Sequence, residues 1–231
     1  MKKTSVLFLI WGFCVATVFS QEQSISKLME NFHLSASREK GGMGNQLDYS
    51  NIPGTPFFND NFKKGEVTTT SNTVVSNVPL RYNVYADEIE FEEESKKTFY
   101  LDKSTVKSVK IGDSEFIYKA YSMNNKLGRS YFEVLLQGKA TLLKQYRVQF
   151  EEAKPAKAYE DPTPAQFKSA TPEFYIAFGD AEADRISSSK QLTEILSDKK
   201  TEVAEYMKKN KLKIGNQEDI IRIIQFYNTG K

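Results

Sequence analysis

The chain reads as a mainly β protein of the α+β class: a curled antiparallel β-meander, closed as a barrel or folded as a sandwich, with two to three C-terminal helices packed on it. Three observations carry this expectation. Apolar and polar residues alternate through the middle of the chain, the breaks in that alternation are short and hold turn-forming residues, and the spacing becomes helical beyond residue 188. Side chains on a strand point to opposite faces in turn, so alternation makes sheets with one buried face.

Residues 1–20 form the first unit. Lys2 and Lys3 precede an apolar run holding Leu7, Phe8, Leu9, Ile10, Trp11 and Phe13, and Val18-Phe19-Ser20 ends it on a small residue before Gln21. This is the pattern of a secretory signal peptide, too short and wrongly flanked for a membrane span. Cleavage after Ser20 removes Cys14 and Trp11, the single cysteine and the single tryptophan. The exported chain then has no disulfide and must be held by an apolar core. A lipid-attachment role for Cys14 is opposed by Phe13, because that chemistry wants a small residue before the cysteine. Loss of Lys2 and Lys3 takes the 32 basic residues to 30, equal to the 30 acidic ones. No overall positive field remains to gather nucleic acid or anionic lipid, and no later stretch is apolar for long enough to be a transmembrane segment.

Residues 21–56 read as a polar, partly disordered arm with a short helix near residues 26–32, broken by Gly41-Gly42-Met43-Gly44-Asn45 and by Pro53-Gly54-Thr55-Pro56. Phe57, Phe58 and Phe62 are placed to pin it to the body. Residues 57–188 are the antiparallel β domain. Leu80, Tyr82 and Val84 alternate with Arg81, Asn83 and Tyr85; Ile89 and Phe91 alternate with Glu88, Glu90 and Glu92; the pattern continues through Phe116, Phe132, Val148 and Ile176. Connections such as Ala86-Asp87, Gly112-Asp113, Asn124-Asn125 and Gly138-Lys139 are too short for parallel crossovers. They imply roughly eight to ten strands, a sheet long enough to curl. The prolines at 155, 162, 164 and 172 mark residues 153–172 as an irregular loop. Residues 189–231 are the helices. Ser189 is a candidate cap for the first, Val203, Tyr206 and Met207 line the second, and Asn216 with Asp219 opens a third that buries Ile220, Ile223, Ile224 and Tyr227 and ends at Gly230.

The run Gly54-Thr55-Pro56-Phe57-Phe58-Asn59-Asp60, followed by Val78-Pro79-Leu80-Arg81-Tyr82-Asn83 and by the lysine-rich tail from Leu192 to Asn228, resembles uncharacterised exported proteins of Bacteroidota-type bacteria. The resemblance implies an envelope location, in the periplasm or at the cell surface, and brings no activity with it.

Candidate chemistry is sparse. His33 is the only histidine and lies in the arm, so nucleophilic triads and His/Cys metal sites lack their parts. The glycines of 41–44 have neither a preceding strand nor a following Gly-Lys-Ser/Thr, so they are no phosphate loop. The acidic run 87–94 lacks the spacing and glycine bend of a calcium loop and reads as a solvated strand face. Glycoside hydrolysis needs two carboxylates facing across a cleft, and a chain that loses Trp11 with its leader lacks the tryptophan platform common in sugar clefts. Lys199, Lys200, Lys208, Lys209, Lys211 and Lys213 form the densest positive cluster, read as a solubilising helix surface that also suits phosphate or lipopolysaccharide. The aromatics stand out more. Tyr85, Tyr100, Tyr121, Tyr131 and Tyr175 fall on the face opposite the Phe/Val/Ile set. Either both faces are core, or this face binds something, since tyrosine offers ring area and a hydroxyl. The expected function is that of an exported, non-enzymatic envelope protein without catalytic residues, cofactor or metal, binding a protein partner through that aromatic face. The alternative is a carrier or sensor holding an apolar ligand inside a half-open barrel.

Overall fold

A computed structural model describes residues 49–93, 96–123, 126–156 and 161–230. The leader, His33, the glycines of 41–44 and the short helix expected near residue 28 lie outside them. Ten strands share one sheet: β1 (Lys63–Thr69), β2 (Val74–Asn83), β3 (Glu88–Glu92), β4 (Thr98–Tyr100), β5 (Val106–Ile111), β6 (Ser114–Met123), β7 (Lys126–Leu136), β8 (Thr141–Gln145), β11 (Glu173–Ala177) and β12 (Ala183–Arg185). A separate antiparallel ribbon pairs β9 (Val148–Glu151) with β10 (Gln166–Ser169). The stretch 153–172, expected to be irregular, therefore contains a strand. Its prolines lie outside β10, which leaves Gln166–Ser169 free to pair.

The path is not a simple meander. Spatial order runs β12-β11-β8-β7-β6-β5-β1-β2-β3-β4, so β5 returns past three strands to lie beside β1, a Greek-key step. Local turn chemistry cannot report such a step, because the pairing of β5 with β1 is chosen by burial of Val67 against Val109 and not by a connecting loop. At Gly65 the two strands come very close: a Cβ there would lie 2.1 Å from the carbonyl oxygen of Lys110. The residue sits at the bulge where the β1–β2 register shifts.

Five strands close into a barrel. β6, β7, β8, β11 and β12 alternate in direction, and five is odd, so closure must bring the last strand alongside the first in parallel. Ala183 faces Tyr121 and Asp184 faces Ser122. Lys119 Nζ extends this seam by donating to the Gly179 carbonyl at 3.0 Å. The lumen is filled by Phe132, Leu143, Tyr175, Ala177 and Ala183, with Ile117, Tyr121 and Val134 packed against them. A barrel this narrow has room for side chains only.

Two further cores use the same sheet. β1–β5 curl over Phe116 and Tyr131, burying Val67, Leu80, Tyr82, Ile89, Phe91 and Val109 among others. Three helices, α1 (Ser189–Ile195), α2 (Lys200–Asn210) and α3 (Gln217–Thr229), pack on the outer face of β8 and β11 through Leu142 and Ile176. Neighbouring residues such as Tyr131 and Phe132, or Leu142 and Leu143, are thus all fully buried, each member of a pair in a different core. The helix ends follow the sequence closely. Asn216 Oδ1 accepts from the Asp219 amide at 3.1 Å, and Gly230, at φ 73°, closes α3 by donating to the Phe226 carbonyl at 2.7 Å. Ser188, one residue before the expected Ser189, caps α1 by accepting from the Gln191 amide. Alone, a helix of this length is marginal in water. Complete burial of Ile223 and Ile224 contributes roughly 1.5–3 kcal/mol apiece and anchors α3. The Asn228 amide adds two hydrogen bonds, each 2.9 Å, to the backbone of Ala140.

Candidate functional site

The five tyrosines expected to share one face do not. Tyr121 and Tyr175 lie in the barrel lumen and form a triangle with Phe132, with ring centroids 5.0–5.7 Å apart. Tyr131 belongs to the β1–β5 core against Tyr82 and Tyr118, and Tyr100 is buried on β4. Tyr85 alone is exposed, at 38%. Around Tyr121, Tyr131 and Tyr175 the face opposite the Phe/Val/Ile set is a second core, whereas the outer face of β5 stays exposed at Lys107 and Lys110.

Tyr85 instead joins a surface aromatic group that the period-two pattern does not reveal. Its ring lies 5.2 Å from Phe167 and 6.5 Å from both Phe150 and Tyr49, and Tyr49 in turn lies 5.9 Å from Phe57. Three separate pieces of chain meet there: the segment before β1, the β2–β3 turn and the β9–β10 ribbon. The Phe167 amide donates to the Pro53 carbonyl at 2.8 Å, the Phe58 amide donates to the Tyr82 carbonyl at 2.9 Å, and the Val84 and Tyr85 amides both donate to Pro56. The three phenylalanines expected to pin this segment do so. Phe58 packs on Phe116 and Tyr146, while Phe57 and Phe62 sandwich the Arg81 guanidinium at 3.7 and 4.4 Å.

Arg81 also corrects the reading of the acidic run. Glu90 is fully buried, not solvated: Arg81 Nη2 lies 2.6 Å from its Oε2, and Asn83 donates to its Oε1 at 3.2 Å. Glu88 and Glu92 lie on the same strand face as Glu90 but pair with Lys103 and Lys96. The alternating glutamates mark a row of ion pairs. Among the described residues no three His, Cys, Asp or Glu side chains gather as a metal site.

The turn that carries Tyr85 is fastened by Asp87. At φ 53° it occupies the left-handed region that Asp and Asn tolerate. Its Oδ1 accepts from Tyr82 Oη at 2.8 Å, Ser130 Oγ at 3.2 Å and the Tyr131 amide at 3.1 Å, tying the β2–β3 turn to β7. Burial pushes its carboxyl above the usual carboxylate range, against the opposing pull of those donors and of Lys103. Beside it the Tyr131 hydroxyl is buried with no hydrogen-bond partner among the described residues, and burial raises its pKa far above the ordinary phenol value.

One end of the barrel is closed by a polar plug. Glu173 holds Arg147 at 3.0 Å and Arg185 at 2.6 Å, while Tyr175 Oη donates to Gln145 and Glu173 at 3.1 and 3.2 Å. Burial, with the Glu173 charge, pushes the Tyr175 phenol up to about 12, so it remains a donor at neutral pH. The lysines of the tail do not act as one cluster: Lys199 donates to the Tyr227 carbonyl and Lys200 pairs with Glu194, whereas Lys208, Lys211 and Lys213 border a groove between α1 and α2. No helix among the described residues is long and apolar enough to cross a membrane.

No family model, no curated protein and no solved structure matches this chain.

Three outcomes follow from the Asp87–Tyr131 region. Asp87 favours its protonated form in the fold, so its stabilising contribution is full below its unfolded pKa and is lost as pH rises through the raised folded value. Asp87→Asn should therefore gain stability relative to the parent as pH rises from 4 toward 7 in urea titrations (about those limits). Asp87→Ala should lose about 1–3 kcal/mol throughout, because three donors lose their acceptor. Tyr131→Phe removes an unpaired buried hydroxyl and should raise the thermal midpoint by a few degrees (roughly 1 kcal/mol) in calorimetry.

Proposed function

We propose that this is an exported, non-enzymatic cell-envelope protein that binds a protein partner through the aromatic surface centred on Tyr85. The observation that carries this is the convergence of Tyr49, Phe57, Tyr85, Phe150 and Phe167 from three distant segments onto a surface where Tyr85 stays 38% exposed. Rings held by backbone hydrogen bonds and by the Asp87 fastening are ordered before binding, which lowers the entropy lost on association. Tyrosine supplies both area and a hydroxyl, the combination enriched at binding hot spots. Tyr100, Tyr131 and Tyr175 are buried and Tyr121 packs in the barrel lumen, so none of the four belongs to this surface. The filled barrel lumen favours this reading over a carrier of an apolar ligand. The lysine-bounded leader pattern and the resemblance to Bacteroidota-type exported proteins support passage to the periplasm or cell surface.

A photo-crosslinking amino acid placed at position 85 tests the surface in cells that make the protein. A discrete heavier adduct at position 85, absent when the same group stands at exposed Lys64, is the expected result; identical patterns at both positions would sink the proposal. The exported protein recovered from those cells should fluoresce as tyrosine only, because Trp11 leaves with the leader.

A further inference from the structure

A groove of about 520 Å³ opens between α1 and α2. Met207 and Leu212 form its floor, and Lys190, Lys208, Lys211 and Lys213 stand around it. No acidic residue lines it. Lys208 and Lys211 have no side-chain hydrogen bond or ion pair among the described residues, Lys190 feels the Glu194 charge on its own helix and the Lys213 amide donates to Asp219, whereas neighbouring Lys199 and Lys200 are both engaged directly. Lys211 is notable for its backbone as well. It ends α2 at φ 56°, a left-handed position where glycine is the cheaper residue.

Apolar floor and cationic border together select an occupant that is apolar along one side and anionic along its edges. A single long-chain carboxylate would answer only one of four lysines. A flat anionic bilayer would meet the lysine tips but leave the floor uncovered. A peptide segment with acidic residues flanking an apolar row answers both, in the helix-in-groove manner. We infer that the α1–α2 groove docks an acidic, amphipathic segment of a partner protein. The surface belongs to the helices and uses none of the rings around Tyr85, so the two proposals stand or fall separately.

The probe is a fluorescein-labelled peptide of about 15 residues with a leucine row flanked by glutamates, titrated with the purified protein and followed by anisotropy. Saturable binding that weakens as salt rises, and that falls at least about tenfold in Lys208→Glu/Lys211→Glu, is expected. Lys211→Gly separates function from folding: it relieves the left-handed backbone, so the thermal midpoint should hold or rise while peptide affinity drops several-fold. Equal binding of an all-glutamate peptide would overturn the inference, since charge alone would then suffice. Unchanged affinity in the double variant, or flotation with phosphatidylglycerol vesicles in place of peptide binding, would overturn it too.

Discussion

The parallel contact between β12 and β6 is only two residue pairs long, yet it turns five strands into a closed wall. Closure leaves no free edge between those strands and encloses Phe132, Leu143 and Tyr175 without solvent. It also sets the direction in which the chain leaves β12, and α1 begins a few residues later on the outer face of β8 and β11. Lys119, reaching the Gly179 carbonyl, and the fully buried Ala183 hold the short strand in place. Without that seam the lumen rings and the helical layer would both lose their support.

One sheet therefore separates three apolar cores. This arrangement explains the unusual use of tyrosine. A strand buried on both faces needs large side chains on both, and a phenol can satisfy its hydroxyl at the boundary of a core, as Tyr82 does on Asp87 and Tyr175 on Gln145. Tyr131 lacks such a partner among the described residues, and it lies where the β2–β3 turn, β7 and Asp87 meet.

The same turn links core to surface. Asp87 fastens it from beneath, Arg81 and Glu90 brace the strands that flank it, and the segment before β1 lies across it with Phe57 on the Arg81 guanidinium. A buried Arg–Glu pair adds little net stability but penalises any register in which either partner is left alone. Here that penalty locks β2 against β3 and so holds Tyr85 beside Phe167. Ordered rings at the surface are the product of polar contacts below them.

Alternation and turn chemistry made the β character, most strand positions and the three C-terminal helices legible, down to Asn216 and Gly230 as caps, because these depend on interactions within a few residues. The three pinning phenylalanines were legible for the same reason, as a dense apolar group in polar surroundings. Tertiary structure decided the rest. Which strand lies beside β1, whether the far face of a strand meets water or a second core, and which rings from residues 49, 85 and 167 come together all depend on contacts between distant segments. No local period distinguishes a solvated glutamate from Glu90 held by Arg81, or a binding tyrosine from one inside a barrel, because both occupy the same face of the same strand until the sheet curls.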